Sequence, residues 1–186
     1  MEERLLVTAS PHIRDHSTTR GLMGAVVAAL MPCVLASALI FGARALLLVA
    51  VTALACVAFE ALYEWLNHKA NTAGDLSAVV TGIILALNMP VNMPLWIAVV
   101  GAFVAIVIVK QLFGGIGYNL ANPALVGRIV LFLGFTTRMT AYVYPDMAVD
   151  ALASATPLAG TVDLGAVNFL DIFLGLHGGM LGETCV

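Results

Sequence analysis

The most distinctive chemistry in the chain lies in Asp150-Ala151-Leu152-Ala153-Ser154-Ala155-Thr156-Pro157-Leu158. Thr156 presents a hydroxyl that a phosphate can esterify. Pro157 biases Thr156 toward extended backbone, which keeps its side chain out of any helix. Ala153, Ser154 and Ala155 are small, so a bulky planar group can lie close to the backbone. On residue types alone the Ser-Ala-Thr-Pro run reads as an ordinary turn, which outweighs a modified threonine.

A second set of polar residues is scattered through strongly apolar surroundings: Asp75, Thr81, Asn88, Lys110, Asn119 and Asn122. Lys110 precedes Phe113-Gly114-Gly115-Ile116-Gly117-Tyr118-Asn119-Leu120-Ala121-Asn122-Pro123-Ala124. Gly114, Gly115 and Gly117 let backbone approach a ligand closely, and Asn119 and Asn122 can both donate and accept. A tight helix–helix turn explains the same glycines. Asp75 has the placement of an N-cap or first-turn acid, and Pro123 suits the first turn of a helix. Glu60 and Glu64 share a helical face at i,i+4 spacing. An acid within a span is a functional candidate, but both are expected near the cytoplasmic surface, solvated. Arg128 within an apolar run should face protein rather than lipid.

The elements that must hold these groups follow from composition. The chain is 61% hydrophobic and 10% charged over 186 residues, with mean hydropathy +1.02, whereas soluble domains carry about 25% charged residues. It reads as an all-α polytopic membrane helix bundle. A net charge of −3 leaves no basic patch for nucleic acid. Cys33, Cys56 and Cys185 are not at metal-ligand spacing, so no metal site is expected, and Cys33 and Cys56 read as small apolar fillers.

Residues 1–20 read as a cytoplasmic N-terminal segment, with a basic excess before the first span and no cleavable signal peptide. Residues 21–137 read as five membrane spans. The first covers about 22–42, with Pro32 in its middle, and the second about 45–66, with Tyr63 and Trp65 at its end. Both are long enough to cross ~30 Å of hydrocarbon. The third, Leu76 to Pro90, is short and ends in Asn88-Met89-Pro90-Val91-Asn92-Met93-Pro94. That pattern predicts a discontinuous or tilted helix lining a protein-filled cavity, or a shallow span closed by a Pro turn. The fourth covers about Leu95 to Leu112 and the fifth about Ala124 to Thr137. Counted from an inside N-terminus, five crossings place the loop 138–168 outside the cytoplasm.

These pieces together resemble the RnfD family, the D component of the Rnf complex, an ion-pumping ferredoxin:NAD oxidoreductase. They are similar also to NqrB, the B component of the sodium-pumping NADH:quinone reductase. The matching residues are Ser10-Pro11-His12, Asp75 to Gly82, Lys110 to Asn119 with Asn122-Pro123-Ala124, Ser154-Ala155-Thr156-Pro157-Leu158, and Gly182-Glu183-Thr184. The resemblance implies two inverted five-span repeats, as in urea channels. Against that pattern this chain holds one repeat, the loop and, in residues 169–186, the opening of a second.

The resemblance also implies FMN joined to Thr156 through a phosphoester, made by a flavin transferase outside the cytoplasm. Asp150, Ala155 and Thr156 match the family's attachment motif, while Ala153 replaces its hydroxyl residue and Ser154 its glycine. Ser154, Ala155 and Pro157 would border the flavin. Riboflavin or another flavin is implied as a second, non-covalent cofactor. The second flavin or an ion cavity would draw on Asp75, Thr81, Asn88, Lys110, Gly114, Gly115, Asn119 and Asn122. The implied setting is a prokaryotic plasma membrane, with the A, B, C, E and G subunits as partners. The implied activity is that of a translocase subunit, not catalytic alone, that couples electron transfer to Na⁺ or H⁺ export. A permease half without redox chemistry and an assembly scaffold are the rival readings.

Overall fold

A computed structural model of the chain describes residues 18–68, 72–143 and 178–183. Its elements, in order, are α1 (Thr19–Phe41), α2 (Ala43–Leu66), a 3₁₀ turn (Ala73–Asp75), α3 (Ser77–Leu87), α4 (Leu95–Phe103), a π-helix (Val104–Gln111) that continues α4, α5 (Pro123–Gly134) and the short α6 (Thr136–Met139). No strand element occurs among the described residues.

The two long helices decide the class. α1 opens on Thr18, whose Oγ1 accepts from the Gly21 N–H at 3.2 Å, a side-chain N-cap. Gly42, at φ 74, makes the turn between α1 and α2 in a region that L side chains rarely adopt. Both helices carry a long, strongly apolar stretch, yet only 11% of that stretch in α1 and 33% in α2 is buried. A soluble core helix of that composition would be enclosed. Apolar helices left uncovered to this degree have lipid as their solvent. The protein is an all-α membrane helix bundle.

The third span is broken, as its length and its Pro and Asn residues imply. α3 has 11 residues, a rise of about 16 Å against ~30 Å of hydrocarbon. The chain continues through a loop whose Met89 and Met93 are fully buried, so this irregular backbone lies within protein, where a membrane tolerates it. The break is also closed by residues 178–183. The Leu181 N–H donates to the Met89 carbonyl at 3.1 Å, and the Gly182 N–H to the Leu87 carbonyl at 2.7 Å.

Small residues set the helix spacing. A Cβ on Gly82 would lie 2.6 Å from Ala53 Cα, so α3 crosses α2 backbone to backbone at that point. A Cβ on Gly127 would lie 3.1 Å from the Gly101 carbonyl oxygen, which draws α5 onto α4. Close approach at small residues drives helix association where lipid removes the hydrophobic contrast. The fifth span differs from the continuous run expected to Thr137. Phe135, at φ −132 and ψ 43, interrupts the helix between α5 and α6, and its ring packs edge-on against Trp96 at 5.3 Å.

Candidate functional site

The most strongly held polar group in the bundle is the pair of Glu60 on α2 and Lys110 on the π-helix. Lys110 Nζ donates to Glu60 Oε1 at 2.5 Å and to Ser77 Oγ at 2.5 Å. Gln111 Nε2 donates to the same Glu60 oxygen at 2.8 Å. The lysine and glutamate side chains are 2% and 0% exposed. Both ions are therefore withdrawn from water, a state that persists only when charges pair and hydrogen bonds fill their remaining sites. The π turn, with Leu112 N–H bonded back to the Val107 carbonyl, brings the consecutive Lys110 and Gln111 onto one carboxylate. Such wide turns recur at functional sites. Glu60 Oε2 is buried with no partner among the described residues, so within them the carboxylate retains one unused acceptor.

The network extends to the start of α3. Ser77 Oγ donates to Asp75 Oδ1 at 2.5 Å, and the Ser77 N–H donates to the same atom at 2.8 Å. The N-cap position of α3 is Leu76, at φ 67, with no side-chain cap, so the expectation that Asp75 is the N-cap or a first-turn acid is corrected: it stands one residue ahead and accepts from Ser77 two residues on, as in an Asx turn. Thr81 Oγ1 donates to the Ser77 carbonyl one turn back at 2.9 Å. Beside them Glu64, 3% exposed, accepts from the Thr72 N–H at 3.0 Å and from the Thr72 hydroxyl. The expectation that Glu60 and Glu64 are solvated is corrected: α3 and the π-helix cover that face of α2. The overlooked sequence signal was a complementary lysine inside another apolar run.

The glycine-rich loop turns the chain from the π-helix to α5. The Gly115 N–H donates to the Lys110 carbonyl at 3.0 Å and the Gly114 N–H to the Gln111 carbonyl at 3.2 Å, an arrangement that closes a helix C-terminus. Asn122 Oδ1 accepts from the Ala124 and Leu125 N–H groups and is the N-cap of α5, ahead of Pro123 in its first turn. Asn119 differs, because its Oδ1 is buried without a partner among the described residues.

Asn88 belongs to a separate place, the far end of α3. Its amide nitrogen donates to the Ile84 carbonyl at 2.8 Å, and its Oδ1 accepts from Arg128 Nη1 at 3.0 Å. Arg128 Nη2 lies 3.1 Å from the Met180 sulfur. Arg128 thus faces protein, as an arginine within a span must. The two residues border a cavity of about 460 Å³ with Leu30, Cys33, Leu87 and Glu183. Nearby Tyr142, beyond α6, has its hydroxyl pKa raised by burial and by Glu183, with Arg128 opposing.

The sequence-derived candidates therefore fall into three places: Asp75, Thr81 and Lys110 around Ser77; Gly114, Gly115, Asn119 and Asn122 in the turn; and Asn88 against Arg128. Thr156, Asp150, Ser154, Ala155 and Pro157 lie outside the described residues. Two features of the structure leave polar groups beside open space or without a partner. One is the cavity, with apolar walls and a guanidinium and amide edge; the other is the unpartnered Asn119 oxygen.

A bundle with a broken helix, an ion pair buried in its core and long apolar helices left largely uncovered is a membrane helix bundle. Comparison with known proteins is more specific. The chain matches the NQR2, RnfD, RnfE family over residues 6–186, and it belongs to that family. Three relatives are each the D component of a larger complex. It is 44% identical, across 98% of its length, to the one from the Na(+)-translocating ferredoxin:NAD(+) oxidoreductase complex of Acetobacterium woodii. It is 32% identical, across 96% of its length, to the one from the proton-translocating ferredoxin:NAD(+) oxidoreductase complex of Clostridium ljungdahlii. It is 39% identical, across 80% of its length, to the one from the ion-translocating oxidoreductase complex of Shewanella denitrificans. The chain spans 58%, 57% and 44% of these relatives' lengths.

Proposed function

We propose that this chain is a membrane subunit of an Rnf-type complex that passes electrons between ferredoxin- and NAD-linked carriers and couples the flow to Na⁺ or H⁺ export. It works in a prokaryotic plasma membrane with the other Rnf subunits, its N-terminus cytoplasmic and the 138–168 loop on the opposite face. The reading is supported by relatives named as subunits of Na⁺- and proton-translocating complexes. The structural observation that carries it is the buried Glu60–Lys110 pair with its unused carboxylate oxygen. A protein that moves ions past an apolar core needs a charge held there whose partner can change.

In this reading Thr156 carries FMN as a phosphoester installed by a flavin transferase. Asp150 belongs to the recognised motif, and Ser154, Ala155 and Pro157 leave room around the tether. Flavin supplies one- and two-electron chemistry when bound; Thr156 is its anchor and takes no part in turnover. Riboflavin or another non-covalent flavin, or an ion, would draw on Asp75, Thr81, Asn88, Lys110, Gly114, Gly115, Asn119 and Asn122; the Asn119 oxygen, buried with no partner among the described residues, supports its part in that reading.

Intact-mass analysis of the full chain, co-expressed with a flavin transferase, tests the reading. An FMN adduct that disappears in Thr156→Val supports it. A chain that stays without adduct, and non-fluorescent in a denaturing gel beside an active transferase, removes it. The broken α3 and its cavity favour one second reading, a permease half without redox chemistry. Solute flux in vesicles together with no adduct would select that reading.

A further inference from the structure

The helix that carries Lys110 changes its winding along its length. Leu95–Phe103 is α and Val104–Gln111 is π, with the Leu112 N–H bonded to the Val107 carbonyl at 3.1 Å. A fixed local irregularity is the simplest explanation, but it does not account for which side chains the winding turns inward. α4 buries Ile97, Ala98, Gly101 and Ala102, one face of an ordinary helix. Continued at about 3.6 residues per turn, that face takes in Ala105, Ile108, Val109 and Leu112, all apolar, and leaves Lys110 on the opposite side. The π winding instead buries Lys110 and Gln111 and turns Ile108 and Leu112 out, 42% and 62% exposed. The apolar pattern of the sequence specifies one register, and the hydrogen bonds to Glu60 hold the other.

Each register has its own support. In the π register Lys110 and Gln111 donate to Glu60, and Lys110 also donates to Ser77. That network is incomplete, because Glu60 Oε2 has no partner among the described residues, and a partly satisfied buried network holds less firmly than a full one. In the α register Ile108 and Leu112 gain burial. Lys110, in the last turn of its helix, extends its charge toward the membrane surface, as long basic side chains near span ends do. The following turn has the slack to permit the change. Gly115 and Gly117, at φ 94 and 87, have nothing within 4 Å of where a Cβ would stand, so the turn absorbs the rotation without dragging α5.

We propose that Val104–Gln111 is a two-state element, whose rewinding from π to α slips the helix by about one residue, takes Lys110 off Glu60 and seats Val109 in its place. The carboxylate is then buried without its counter-charge, a state that must be neutralised from outside the pair. The register is therefore the device that lets the partner of Glu60 change. That coupling role rests on the ion-export reading above, whereas the existence of two registers does not.

The test labels lysine, of which the chain has two, Lys69 and Lys110. The full chain in lipid nanodiscs is treated with sulfosuccinimidyl acetate, and acetylation of Lys110 relative to Lys69 is followed by mass spectrometry. The π register shields Lys110 and the α register exposes it, so the labelling rate reports the α population. Leu112→Ser removes burial that only the α register gains, and is expected to slow labelling of Lys110 about tenfold. Deletion of Val107 removes the residue that the wider winding accommodates, so α winding then keeps Lys110 on Glu60 and labelling slows again. A merely loosened helix would label faster in both variants, and a helix of one register would label at the unaltered rate; either result overturns the proposal. If Leu112→Ser fails to fold, the Val107 deletion decides. Redox-driven Na⁺ or H⁺ export by vesicles holding the unaltered complex tests the ion-export reading by itself; its absence removes that reading and leaves the labelling result standing. With export present, deletion of Val107 is expected to abolish it. Export at full rate despite a shielded Lys110 overturns the part of the register in coupling.

Discussion

Glu60 and Lys110 stand 50 residues apart in sequence and 2.5 Å apart in space, one on α2 and the other on the π-helix. With Gln111 and Ser77 they lock α2, α3 and the π-helix together at a depth where water does not reach either ion. Removing one partner strands the other charge. Lys110→Met and Glu60→Met are each expected to cost about 3–5 kcal/mol, and the double variant to recover most of that loss. Reversible unfolding in mixed micelles measures all three. Additive losses in the double variant would mean that the two groups act independently.

Gly82 lies where α3 meets the α2 backbone at Ala53. Because backbone cannot yield as a flexible side chain does, Gly82→Val is expected to destabilise the bundle by about 1–3 kcal/mol. Gly134 has nothing within 4 Å of where its Cβ would stand, so Gly134→Ala is expected to change stability by less than about 0.5 kcal/mol. Similar midpoints for the two variants in the same micelle assay would show that α2 and α3 do not cross backbone to backbone.

How much of this could be read from the chain depended on range. The break in α3 was legible, because a short apolar run ending in Asn88, Pro90 and Pro94 leaves few alternatives. The inward-facing Arg128 and the Pro123 start of α5 were legible for the same local reasons, whereas Asp75 stands one residue ahead of the α3 N-cap position, Leu76. The burial of Glu60 was not. Its environment is made by residues about fifty positions later, and no local pattern announces that Val104–Gln111 winds as a π-helix. The Gly114–Gly117 run was ambiguous because positive-φ glycines serve ligand loops and helix ends alike.

That ambiguity can be resolved at Asn122. As an N-cap bonded to the Ala124 and Leu125 N–H groups, it should be replaceable by Asp or Ser with little loss. Asn122→Ala should cost about 1 kcal/mol of stability. Thermal denaturation followed by helical circular dichroism separates the variants. If Asn122→Asp and Asn122→Ser lose as much as Asn122→Ala, the side chain does more than cap.

Sidedness can be checked at Gly160. On a background with Cys33, Cys56 and Cys185 replaced, Gly160→Cys in intact cells is expected to react with a membrane-impermeant maleimide from outside. Reaction only after the membrane is permeabilised would invert the span count and put Thr156 on the wrong face for an external transferase.

The final prediction concerns Gly182, which connects the late segment 178–183 to the broken end of α3. Its N–H bonds to the Leu87 carbonyl at 2.7 Å, and a Cβ there would lie 3.0 Å from Leu87 Cβ and 3.1 Å from the Leu87 oxygen. A branched side chain cannot enter that gap without lifting the segment. Lifting it frees the Leu87 carbonyl inside the bundle and draws the Met180 sulfur away from Arg128. Gly182→Val is therefore expected to raise amide hydrogen exchange at Leu181 and Gly182 while leaving Ser77, at the opposite end of α3, protected. Exchange is the suitable readout because it reports local opening without requiring the whole bundle to unfold. Unchanged protection at Leu181 and Gly182 would mean that the segment does not close the break. The cavity beside Arg128 would then lose the wall that Met180 and Gly182 give it.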